Sequence, residues 1–295
     1  MRRGTLVCFG VVSAIVVLRL EDRARAFVPP NARISSGGEM VMIPGATFRF
    51  GKQAVWGGPK AGSSGFGDPD GVAVTVASFF IDRNEVTVRA YSACEQAGTC
   101  PTLLDGTDLN DCTANRAGFE EHPINCVSFE EAEKFCGYLG KRLPTEYEFE
   151  LAERGPSSKP FPWGDTPPTP KHVNACDASC VREEAKRGSN FTSLWSDNGG
   201  DDGWPFTAPI GTYPDGASPY GVMDLSGNVE EWVSDFWGPI ASTPPPPQTG
   251  TYQDHVVRGG SWDLGSIDAF ASTRRSAASK DTRTNWLGFR CARDI

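Results

Sequence analysis

The chain has 295 residues, 39% of them hydrophobic, enough for one large domain with a core or two modest ones. Thirty-three glycines, 23 prolines and eight tryptophans favour a loop-rich fold and exclude a helical bundle or coiled coil, whose long apolar periodicities are missing. A formal net charge of −9 excludes a non-specific nucleic-acid binder.

Met1-Arg2-Arg3, an apolar run from Thr5 to Leu18 and a segment ending Ala24-Arg25-Ala26 resemble a secretory signal peptide over residues 1–26, with cleavage expected after Ala26. An uncleaved anchor is the competing reading, but this 14-residue run is shorter than the roughly 20 residues a spanning helix needs. Export would leave the protein secreted, or in the periplasm or cell envelope, without a membrane span. Of nine cysteines only Cys8 lies in this segment. Cys94, Cys100, Cys112, Cys126, Cys136, Cys176, Cys180 and Cys291 then form an even set, expected as disulfides and not as metal thiolates.

Residues 27–38 read as a Pro/Gly-rich linker, followed by one domain over 39–295. Met40 to Ile43, the pair Pro44-Gly45 and an alternating stretch with Phe48 and Phe50 predict a hairpin. Residues 52–71 form a Gly-rich loop, and Val72, Val74 and Val76 alternate as a further strand. A helix is expected from Val88 to Ala97, stopped by Gly98. Ser128 with Glu131, and Thr145 with Glu148, are capping boxes opening two more helices, the first ended by Gly140 and the second by Gly155. Pro156 to Pro247 reads as short segments and turns, with a surface loop at Ser242–Gly250.

Catalytic signatures such as G-x-S-x-G, H-E-x-x-H and C-x-x-C are missing. His122, His172 and His255 are scattered and read as ordinary loop or surface histidines. What the chain does carry is a set of phrases in fixed order: MVMIPGATFRFG, FFIDRNEVTV, HPINCVSFEEAEKFCGYLGKRLPTEYEFELAERG, PFPWGD, TAPIGTYPDGASPYGVMDLSGNVEEWVSDFW, VVRGGSW and LGFRCARD. Together they closely resemble the formylglycine-generating enzyme family, also called sulfatase-modifying factors, over about residues 39–294. The resemblance implies an α+β domain related to the C-type-lectin-like fold, with little regular secondary structure. It also implies a bridge between Cys136 and Cys291. Cys176 and Cys180 are near enough to pair locally, and the connectivity of Cys94, Cys100, Cys112 and Cys126 stays open.

Structural calcium is a further implication of the resemblance. One site would use side chains of Asp224 and Glu231 with carbonyls of Gly227 and Val229, hard oxygen ligands on a Gly-bearing loop. A second would use Asn174, Ala175, Asp202 and Trp204, with Asn190 competing for the place of Asn174.

Enzymes of the family oxidise a sulfatase cysteine to formylglycine with oxygen and a Cu(I) ion held by two cysteines. Counting forward from the RGGSW phrase puts Leu264 and Ala269 at those positions, and neither side chain can hold copper. A histidine usual beside the first cysteine is Gly265, and the aromatic usual before the EW pair is Glu230. The nearest other cysteine along the sequence, Cys291, is claimed by the implied bridge. What remains near the loop is a candidate groove of Glu230, Ser261, Trp262, Asp263, Asp268 and Arg274. As structure, Trp262 would be core, Asp263 a turn cap and Arg274 the partner of an acid. As function, Trp, Arg and acids together suit recognition better than catalysis, since Ser261 has no adjacent base. The sequence thus points to an exported, calcium-stabilised module without copper chemistry, binding a protein, peptide or glycan. The alternative is an oxidoreductase of the same superfamily with a different reaction or metal.

Overall fold

The computed structural model describes residues 38–51, 71–103, 112–157, 159–195, 200–240 and 253–295. The expected signal peptide, the linker before Gly38, the loop at 52–70 and the loop at Ser242–Gly250 lie outside these residues. Among the described residues no helix is long and apolar enough to cross a membrane.

The first two strands, β1 (Met40–Ile43) and β2 (Ala46–Phe50), stand where the hairpin was expected, yet they do not pair with each other. Instead β2 pairs antiparallel with β3 (Val72–Val76), and β1 pairs with β4 (Phe79–Asp82). Pro44-Gly45 therefore passes the chain from one sheet to another. A Cβ on Gly45 would lie 2.7 Å from the Ser78 amide and 2.8 Å from the Val76 carbonyl, so the crossing needs glycine.

The helices form where their caps were read. α1 (Val88–Gln96) is capped by Thr87, and both capping boxes close, on α2 (Phe129–Tyr138) and α3 (Glu146–Arg154). The segment after Pro156 is more ordered than expected. It holds α4 (Ala178–Lys186), whose Asp177 accepts the Ser179 and Cys180 amides, and the seven-residue strand β5 (Glu230–Phe236). β6 (Asp254–Arg258) and β7 (Ser276–Ser279) continue antiparallel from β5, while β8 (Leu287–Gly288) lies parallel on its other side. The last strand, β9 (Ala292–Asp294), returns to pair with β4.

Four bridges staple the loops: Cys94–Cys100, Cys112–Cys126, Cys176–Cys180 and Cys136–Cys291. The last ties α2 to the approach of β9, and Tyr91, Phe135, Trp232 and Phe289 pack in the same core cluster.

α3 is buried along its whole length, charged residues included, so its carboxylates require partners. Arg275 bonds Glu146 at 2.7 and 3.0 Å, Arg142 bonds Glu148 at 2.7 Å, and Arg258 reaches Glu150 at 3.0 Å. His122, in a loop as one of the two readings expected, is likewise buried, and His255, within β6, is buried and neither in a loop nor on the surface. His122 meets the Thr207 hydroxyl at 3.0 Å, and His255 stacks on Phe129 with ring centres 3.5 Å apart. Only His172 keeps a partly open position.

Candidate functional site

The loop after β6 carries the positions at which the resemblance expects copper-binding cysteines. Leu264 and Ala269 there belong to an apolar cluster with Phe161, Val173, Phe270 and Trp195. The segment leading out of α4 lies directly on this loop. An ideal Cβ on Gly265 would sit 1.9 Å from the Thr192 carbonyl oxygen, so this approach has no room for a side chain. The Cys176 amide donates to the Leu264 carbonyl at 3.1 Å, and the Leu194 amide to the Cys176 carbonyl at 2.8 Å. Proximity in sequence therefore misidentified the neighbouring sulfurs: Cys176 and Cys180, not Cys291, lie against the loop, packed with Trp262. All eight cysteines among the described residues are oxidised in pairs.

Most of the candidate groove residues satisfy one another. Glu230, at the start of β5, is 3% exposed and pairs with Arg274, which also donates to the Gly259 carbonyl at 3.2 Å. Burial raises the Glu230 carboxyl, and Arg274 opposes the rise. Asp263 accepts the Ser261 hydroxyl at 2.5 Å, and burial raises it too. Ser261 and Trp262 are buried, and the Trp262 indole donates to the Asn285 carbonyl at 3.1 Å. Asp268 belongs to a 3-10 turn at Ile267–Phe270. The structural roles considered for Trp262 and Arg274 are thus the ones they fill.

The first candidate calcium stretch is a tight turn, with Asp224 (φ 57°), Gly227 (φ 87°) and Asn228 (φ 61°) in the left-handed region. A Cβ on Gly227 would lie 2.4 Å from the Asn174 carbonyl oxygen. Asp224 accepts the Gly211 amide at 2.6 Å. Glu231 is committed elsewhere: the Arg290 guanidinium grips both of its oxygens at 2.7–3.0 Å. The sequence reading missed Glu85, which is 3% exposed and has no hydrogen-bond partner for either carboxylate oxygen. Burial and the Asp224 charge push Glu85 well above the usual carboxylate range. An acid just after the apolar strand β4, in the phrase FFIDRNEVTV, was the available signal.

At the second stretch Asn174 is buried and Asn190 is exposed. The Asn174 amide donates to the Phe206 carbonyl at 2.8 Å, beside the turn carrying Asp202 and Trp204, and its buried Oδ1 has no partner. Asp202 accepts the Trp204 amide at 2.8 Å and the Tyr213 hydroxyl at 2.6 Å; burial pushes its carboxyl up to about 7. Asp177, unforeseen as a site residue, lies with Asp201 and Asp202 so that their oxygens fall within 4.8 Å of one another. Ala175, two residues before Asp177, is fully buried. The two stretches adjoin, since the Asn228 amide donates to the Asn174 carbonyl at 3.0 Å and Asn228 Oδ1 accepts from the Asn174 amide at 3.1 Å. Orphaned oxygens on Glu85 and Asn174 make both places chemically suitable for a hard cation.

Comparison with known proteins agrees with this architecture. The model of the sulfatase-modifying factor enzyme 1-like domain matches residues 25–295. A formylglycine-generating enzyme of Thermomonospora curvata is 28% identical over 311 residues, covering 86% of this chain and 93% of that protein. The inactive C-alpha-formylglycine-generating enzyme 2 of Bos taurus is 31% identical over 183 residues, covering 58% of this chain and 50% of that protein. Against mammalian formylglycine-generating enzymes the chain spans 44% of their length. Among solved structures, PvdO from Pseudomonas aeruginosa superposes with a TM-score of 0.66 at 26% identity, covering 89% of this chain and 97% of that one. The chain belongs to the sulfatase-modifying factor enzyme 1-like domain family.

Proposed function

We propose that this protein is an exported member of the family that has given up copper-dependent oxidation and acts as a calcium-stabilised binding or accessory module for a protein, peptide or glycan. The packing of Leu264 and Ala269 among Phe161, Val173, Phe270 and Trp195 is the observation that carries this reading. Two thiolates are the soft donors that retain Cu(I), and two apolar side chains under the Thr192 segment replace them. A relative named as inactive gives the loss of activity a precedent within the family. Calcium, when bound, would supply fixed positive charge: Asp224 and Asp202 would anchor it at the two turns, with Asn174 Oδ1 as a neutral donor at the second.

The test is a Cu(I) titration of the purified protein, with disulfides intact and again after reduction, beside mass spectrometry of a cysteine-containing sulfatase peptide incubated with it. Neither copper uptake nor aldehyde is expected in either state. Stoichiometric copper with aldehyde formation would overturn the reading. If it appeared only after reduction, Cys176 and Cys180, against the Leu264 loop, would be the pair responsible.

A further inference from the structure

Three buried carboxylates of α3, Glu146, Glu150 and Glu153, share the interior with the guanidiniums of Arg154, Arg258 and Arg275. The charges balance in number and not in place. Arg275 is bonded to Glu146, whereas Arg154 and Arg258 both converge on Glu150. Both hydrogens of Arg258 Nη2 are used, on Glu150 at 3.0 Å and on the Ser272 carbonyl at 2.7 Å, and this nitrogen stands 3.8 Å from Glu153 Oε2. Glu153 Oε2 has no hydrogen-bond partner, and Oε1 faces the Ser226 hydroxyl at 3.2 Å. A buried carboxylate so placed is costly in its charged form. Burial pushes Glu153 up to about 7, with Arg258 opposing the rise and Glu150 adding to it.

The Ser226 hydroxyl reaches two acceptors, Glu153 Oε1 at 3.2 Å and the Phe270 carbonyl at 3.0 Å. It has one proton to give. Facing a carboxylate, that proton goes to Glu153, because a charged acceptor makes the stronger bond. Once Glu153 carries a proton of its own it donates to Ser226 Oγ, and the hydroxyl turns to Phe270. We infer that Glu153, Ser226 and the Phe270 carbonyl form a proton-controlled latch on the turn that carries Ala269, closed when Glu153 is protonated and released when it ionises. The groups facing Glu153 are Glu150 and Arg154 from α3, Arg258 from β6, Ser226, and Ser272 from the loop after Phe270. Glu150 is held by two guanidiniums and the arginines keep their protons throughout, so Glu153 is the group that titrates. Arg258 holds the Ser272 carbonyl, and the Ser272 amide bonds the Pro160 carbonyl at 2.8 Å, which confines the change to the Ile267–Phe270 turn. As regulation of the candidate site the latch rests on reading this loop as the recognition surface; its own mechanism needs neither ligand nor metal.

Phe270-Ala271 is the one Phe-Ala pair in the sequence, so carbonyl-labelled phenylalanine combined with nitrogen-labelled alanine isolates the Phe270 carbonyl as a single NMR signal. Its shift is followed from about pH 5 to about pH 9, at constant calcium, in the full protein, Glu153→Gln and Ser226→Ala. The parent signal should move in one step with its midpoint at about 7. Glu153→Gln, whose amide donates to Ser226 at every pH, should hold the signal at the parent's acid position. Ser226→Ala should hold it flat, at or beyond the parent's alkaline position. A parent signal that does not move, or a full step that survives in Ser226→Ala, would overturn the inference. Titration of Glu153 itself is read from melting temperatures. The folded parent keeps between pH 4.5 and about 7 a proton that the unfolded chain releases, so Glu153→Gln should gain on the parent across that window and stay level above it. A difference independent of pH would also overturn the latch. Should Glu153→Gln fail to fold, the parent and Ser226→Ala decide the matter by the carbonyl step alone. Copper uptake with aldehyde formation would overturn the proposed function without touching either readout.

Discussion

His255 shows how much one buried ring can decide. It sits between Phe129 and Phe236, with Trp232 edge-on, and this burial lowers its pKa from 6.5 to about 4. The unfolded chain therefore binds a proton on His255 that the folded one refuses between those values. The neutral ring's contribution is fully present above pH 6.5 and lost as pH falls toward 4. His255→Phe keeps an aromatic against Phe129 and removes the titration. Its melting temperature relative to the parent should rise steadily between pH 6.5 and 4 and stay level above pH 7. Comparison with the parent at each pH cancels the opposing contribution of Asp235, whose carboxyl burial raises to about 6. No pattern in the sequence marked this histidine as interior: its neighbours come from α2 and β5, and the packing exists only once those elements meet.

At the scale of elements, local chemistry was legible and non-local pairing was not. Ser128 with Glu131 and Thr145 with Glu148 fixed two helix starts, because a capping box is complete within four residues. Met40–Ile43 and Ala46–Phe50 were recognisable as strands, but their partners β4 and β3 lie tens of residues on, and the short Pro44-Gly45 link suggested a hairpin. β5 was lost because Glu230, Glu231 and Asp235 are all buried, which conceals the apolar alternation of a strand. At the site, the loss of both cysteines was readable by counting, whereas the segment covering Gly265 was not. Two glycines separate these cases experimentally. Gly265→Ala places a methyl against the Thr192 carbonyl and should cost about 1–3 kcal/mol in urea unfolding. Gly137→Ala, inside α2 with open space around its Cβ, should gain about 0.5–1 kcal/mol.

For the whole molecule, the Cys136–Cys291 bridge spans a sequence separation of 155, whereas Cys176–Cys180 spans 4. Loop-closure entropy assigns the long bridge about 5 kcal/mol and the short one about 2. Replacing Cys136 and Cys291 together by serine should therefore lower unfolding stability more than twice as far as the same change at Cys176 and Cys180. Equal losses in a urea titration would show that the long bridge closes a loop already compact when unfolded. The sheet order β1-β4-β9 carries a mechanical corollary. Both ends of the domain leave from strands flanking β4, so a tether at each end would load one small sheet by pulling on its two outer strands. Tension on the C-terminal side would pass at Cys291, just before β9, into α2 through a covalent bond. Tension on the N-terminal side would meet no covalent cross-link at β1, which is held by its hydrogen bonds to β4, by Glu39 against Arg83 and by the packing of Ile43. Stretched under oxidising conditions, the domain would yield first by peeling β1, and the chain between Cys136 and Cys291 would contribute no length to its extension until the bridge was reduced.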